Sequence, residues 1–166
     1  MDNEQNKEMK EKGLEELKLK DKIIVVTKVL LDVMFYAGIM VCISLPISIK
    51  FYGKFNSYFK NNYVPLCFIF FFSGIFAVAI IQELRKMFRS VIRDDCFIRE
   101  NVISLNRMGN YSFAIAFVTV FRVFLYITPA VFVIILVFII AALFSKVLSH
   151  VFDKAVTYKL ENDLTI

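Results

Sequence analysis

The chain alternates long apolar stretches with short charged ones, and the length of each apolar stretch decides what it can be. Residues 1–22 are almost wholly polar, with six Lys and seven Asp or Glu. Leu14, Leu17 and Leu19 make too thin a stripe for a packed helix, so this segment reads as a solvated tail near the lipid headgroups. An apolar run follows from Ile23 to Ile49. A bilayer core needs about 20 apolar residues, and the run is long enough to supply them. Lys28 and Asp32, near its start, have the spacing of a pair on one helix face. Pro46 predicts a bend or a stop near its far end.

Residues 50–62 read KFYGKFNSYFKNN, with Lys50, Lys54 and Lys60 and no acid. Phe51, Phe55 and Phe59 recur at helical spacing, which predicts a short helix in an interfacial aromatic belt. The same rings could also form a binding platform. The second span is predicted at 63–82, a stretch free of charge. Pro65 suits a first helical turn, and Ser73, Gly74 and Ala77 suit close helix contact.

Residues 83–109 form a polar connector. Leu84, Met87, Phe88, Val91 and Ile92 keep a helical stripe, so span two should run on as an amphipathic helix to about Asp94–Asp95. A second short helix, through Val102, Leu105 and Met108, should close near Gly109. Residues 111–148 are apolar except for Arg122 and Lys146. As one helix they would measure about 57 Å, nearly twice a hydrocarbon core of about 30 Å. They must fold back, and Ile127-Thr128-Pro129 is the credible turn, with Thr128 as cap and Pro129 in the first position. Spans three and four are then 110–127 and 129–148. Residues 149–166 continue the last helix through Val151, Phe152, Ala155 and Val156 into a tail.

Composition narrows the class. Of 166 residues 58% are hydrophobic and the mean hydropathy is +0.65, against about 45–50% apolar residues in soluble domains. A disordered chain, a disulfide-stapled domain and an ordinary soluble enzyme are excluded. The predicted fold is all-α: an integral membrane four-helix bundle, with a charged tail at 1–22 and a membrane domain at 23–166. Cys42, Cys67 and Cys96 have no metal-site spacing. The first 22 residues are too charged to hold a signal peptide's apolar core, so the first span is expected to act as an uncleaved anchor.

Charge sets a sidedness. With four spans both termini share a side with the connector, and that side carries sixteen of the 20 Lys and Arg. Lys50, Lys54, Lys60 and Arg122 fall on the other. The bias predicts cytoplasmic termini. The net charge of +5 sits at span ends, so direct nucleic-acid binding is not expected.

Few residues offer chemistry. Arg122 lies inside span three, where a charge costs several kcal/mol unless it snorkels or meets a partner. It is a candidate contact for an anion or a lipid phosphate. Asp32 is the one acid near a membrane interior, and its expected partner is Lys28. Arg85, Arg89 and Arg93 fall four apart and are candidates for lipid headgroups, with topogenic charge as the plainer reading. His150 stands alone, and Ser145 and Ser149 have no placed acid. No hydrolase, zinc or phosphate-loop motif is present. Neither an enzyme nor a cofactor is expected.

The stretch FIRENVISLNRMG (Phe97 to Gly109) and the ending LENDLTI (Leu160 to Ile166) resemble a family of small bacterial membrane proteins, domain of unknown function family 2975. The resemblance covers roughly residues 24–166. It implies four spans, a polar connector after the second, and an END-L-T-I or -V ending. After the Phe matching Phe97 the family often has Ser or Thr, apt to cap the next helix. Here Ile98 stands there, so Asp94 or Asp95 should cap instead. The loop between spans three and four also looks shorter than in the family. Family genes often neighbour one for a small helix-turn-helix repressor, which suggests a membrane component of a regulatory pair. Arg99, Glu100, Asn101 and Arg107 of the connector, and Glu161, Asn162, Asp163, Leu164 and Thr165 of the end, are then candidates for one cytoplasmic interface. In that reading LTI docks beside the connector helices, and the tail acids meet Arg99 or Arg107. The expected function is an accessory or regulatory membrane protein with a protein partner, such as a helix-turn-helix regulator. The alternative is a small homo-oligomeric pore, carrier or immunity-type protein.

Overall fold

The polar tail and the first apolar run share one helix. α1 (Asp2–Tyr52) is 51 residues long, about 76 Å at the usual rise. The tail is rich in Glu, Lys and Leu, all strong helix formers, so the helix of the first span can run back through it. Pro46 sits inside α1 and does not end it. Its missing N–H leaves the Cys42 carbonyl without its usual donor, a defect that spanning helices tolerate. The Tyr63 hydroxyl donates to the Pro46 carbonyl at 3.3 Å and ties the end of α1 to the next span.

A computed structural model describes the backbone at residues 2–55, 57–93, 95–125 and 127–163, and side chains from residue 22 onward except those of Tyr58, Phe59 and Asp163. After α1 come α2 (Ser57–Asn61), α3 (Tyr63–Ile92), α4 (Arg99–Leu125) and α5 (Pro129–Asp163). All regular structure among the described residues is helical. Four helices are long and apolar enough to cross a membrane. The shortest, α4, has 27 residues, about 40 Å against a core of about 30 Å.

α4 corrects one expectation. Gly109 does not close a short helix, because α4 passes through it unbroken. Gly109 is buried against α5, where a Cβ would stand 3.1 Å from Lys146 Cγ and 3.2 Å from the Ala142 carbonyl. The glycine lets two backbones approach and is not a cap. Small residues continue that seam, with Ser112, Ala116 and Thr119 buried on α4 and Ala142, Ser145 and Ser149 on α5. Gly74 does the same between α3 and α1, since a Cβ there would lie 2.6 Å from Cys42 Sγ.

The helices pack in chain order. α1 lies on α3, α3 on α4, and α4 on α5, while no contact joins α1 to α5 among the described residues. The four-helix assembly is therefore a row left open on one side. Long apolar side chains such as Met40, Ile43, Phe117 and Phe144 point outward, as lipid-facing surfaces do.

Candidate connector site

Polar side chains converge where α3 ends and α4 begins. The turn between the helices is closed from within. The Ser90 carbonyl accepts the N–H groups of Arg93 at 3.1 Å and Asp95 at 3.2 Å. The Ser90 hydroxyl donates to the Met87 carbonyl at 2.6 Å. The amide of buried Asn101 donates to Ser90 Oγ at 2.6 Å and to the Cys96 carbonyl at 2.7 Å. Asn101, expected at an interface, is thus a staple of the turn. Of the two expected caps, Asp94 lies outside the described residues. Asp95 instead meets Lys159 of α5 at 2.9 Å.

The centre of the cluster is Glu83, which is 4% exposed. Lys86 Nζ donates to its Oε1 at 2.9 Å. The Ser104 hydroxyl donates to its Oε2 at 2.8 Å. The Arg107 guanidinium stands 3.6 Å away. A buried carboxylate is costly unless it is paired and hydrogen-bonded, and here it is both. Arg107 therefore takes an acid from α3.

The three spaced arginines divide their roles. Arg85 turns to α1, where it pairs with Asp32 at 2.5 Å and lies 4.5 Å from the centroid of the Phe35 ring. This corrects the expected Lys28–Asp32 pair: the acid is held from a neighbouring helix. Arg89 and Arg93 line a cavity of about 520 Å³ between α3 and α4, together with Glu83, Glu100 and Arg107. Neither Arg89 nor Arg93 has an ion-pair partner among the described residues. Glu83 is balanced by two bases and Asp95 by Lys159, and Glu100 offsets part of the charge of Arg89 and Arg93, so among the described residues the cavity keeps a positive surplus.

α5 clamps the same end. Arg99 forms an ion pair with Asp153, Lys146 donates to the Asn106 side chain, and the Ser149 hydroxyl donates to the Val102 carbonyl at 2.9 Å. The Phe97 and Phe152 rings lie 5.4 Å apart. Arg99 is paired by Asp153, two turns before the tail acids expected to meet it. Glu161 and Asn162 fall in the last turn of α5. The Asp163 side chain, Leu164 and Thr165, with the docking expected for LTI, lie outside the described residues. Arg122 is far from this end and stands over the Phe70 ring at 5.1 Å.

Glu83, Ser104 and Asp153 do not stand out in the sequence. The available signal is a polar residue on the apolar face of an amphipathic helix, which Asn101 and Ser104 supply in α4. The Ser104 proton is engaged by Glu83 and the Ser90 proton by a carbonyl. Among the described residues no group of His, Cys, Asp and Glu could hold a metal.

Residues 53–166 match the model of a family described as Protein of unknown function (DUF2975). The match takes in α2 to α5 and leaves α1 outside. No curated protein and no solved structure matches the chain.

Proposed function

The chain belongs to the DUF2975 family, and we propose that it is a non-enzymatic accessory or regulatory membrane protein that acts on a protein partner through its connector end. The excess of Lys and Arg at that end supports placing it, with both termini, in the cytoplasm of a bacterial cell. One observation carries the reading. Among the described residues Arg89 and Arg93 have no ion-pair partner, at a cavity lined by more bases than acids. Unmet positive charge on a fixed frame suits a complementary acidic surface and sets register and on-rate. A small helix-turn-helix regulator is the first partner to seek.

Purification of the tagged protein in mild detergent, with identification of what accompanies it, tests the proposal. A stoichiometric cytoplasmic protein is expected, lost when Arg89→Glu and Arg93→Glu are combined. Recovery of the protein alone would sink the reading. A second reading, a homo-oligomeric pore, carrier or immunity-type protein, draws support from the row's open side, which further copies could close. Recovery as a defined homo-oligomer that passes ions in liposomes would favour it.

A further inference from the structure

The open side of the row forms a groove of about 300 Å³ within the spans, floored by α3 and α4 and walled by α1 and α5. Cys42, Phe70, Ser73, Thr119, Arg122 and Phe138 line it. Ligand sites have this character: a mostly apolar wall, a volume of about 300–1,000 Å³ and few polar groups. Two of the polar groups have unused donors. Arg122 stands one turn before the end of α4, with its guanidinium over the Phe70 ring and no acid beside it among the described residues. The Ser73 hydroxyl is buried without a hydrogen-bond partner among the described residues. The Thr119 proton is already engaged by the Ile115 carbonyl at 2.7 Å.

The counter-charge for Arg122 cannot come from the groove's own helices. Residues 33–82 and 101–152 contain no Asp or Glu, and every lining residue falls within them. A second copy seated on the groove by the same spans would bring no carboxylate either. The anion must therefore belong to a molecule outside the chain, and within a bilayer the abundant anions are headgroup phosphates. With one guanidinium and no carboxylate, the groove favours a headgroup whose phosphate is its sole charge. A zwitterionic head would bring an ammonium that no lining residue could pair.

We propose that this groove binds one anionic phospholipid, with its phosphodiester on Arg122 and an acyl chain along the apolar wall between α1 and α5. The site lies in the half of the spans away from the connector and does not depend on a protein partner there.

Melting of the purified wild-type protein with added phosphatidylglycerol, phosphatidylethanolamine or inorganic phosphate tests this, alongside mass-spectrometric measurement of retained lipid. Phosphatidylglycerol is expected to raise the melting temperature and to remain bound after a detergent wash that strips phosphatidylethanolamine. Arg122→Gln should weaken its binding about tenfold, the loss expected for one charge-assisted hydrogen bond. Ala77→Leu, which fills the groove but keeps Arg122, should weaken it too. Equal responses to the two lipids, a shift reproduced by inorganic phosphate, or a groove closed by a second copy would each overturn the proposal. The wild-type comparison decides the matter even if a variant fails to fold.

Discussion

One carboxylate, Glu83, has three partners, two of them on a second helix, and another, Asp32, joins two helices through one. The difference in burial should separate them energetically. Removing one side of a buried pair costs about 3–5 kcal/mol, so Glu83→Ala should lower stability in detergent by about that much. The Asp32–Arg85 pair is partly open to its surroundings, with side chains 38% and 25% exposed, so Asp32→Ala should cost only about 0–1 kcal/mol. Melting both variants checks the ranking, and equal losses would contradict it. Neither partnership could be read from the sequence. Hydropathy registers Glu83 as the first charge after an apolar run, and helix spacing offers Lys28 to Asp32. What decided both was a side chain on another helix, which local periodicity does not encode.

Among the elements, the helical class and the four apolar helices were legible because their lengths leave little choice. The conflict arose at Gly109. A glycine after an amphipathic turn is a common helix end, and the competing reason for a glycine there, close approach of α5, exists only once the two helices are packed. That contact gives a test. Gly109→Ile drives a branched side chain into Lys146 and the Ala142 carbonyl, and overpacking of this kind costs about 1–3 kcal/mol. The expected result is a lower melting temperature with the helical content kept. An unchanged melt would mean that α4 and α5 do not meet as closely as described. The tie between Tyr63 and Pro46 was equally hidden, because it joins residues on different spans.

For the whole molecule, the charge pattern predicts sidedness without any knowledge of packing. Ser57→Cys, in α2 beside the lysine-rich loop, should react in intact cells with a thiol reagent that cannot cross the membrane. Native Cys96, at the connector turn, should react only after the cells are opened. Labelling of Cys96 from outside would reverse the orientation and move the proposed partner site to the other compartment. The order of packing, by contrast, was not legible: nothing in the hydropathy says whether four spans close on themselves or lie side by side.

Side-by-side packing governs how the molecule would come apart under load. Each long helix leans only on its neighbours in the chain, so resistance is stored seam by seam, as in stacked repeats. Drawn from the bilayer by its N-terminus, the chain would release α1 first, since among the long helices described only α3 retains it. The helices within the family match would still be seated at that point. Drawn by the C-terminus, the first seam to yield would be α4–α5, with its small-residue contact and the polar clamps at the connector end. The same fold would thus give two different force traces, depending only on which end is held.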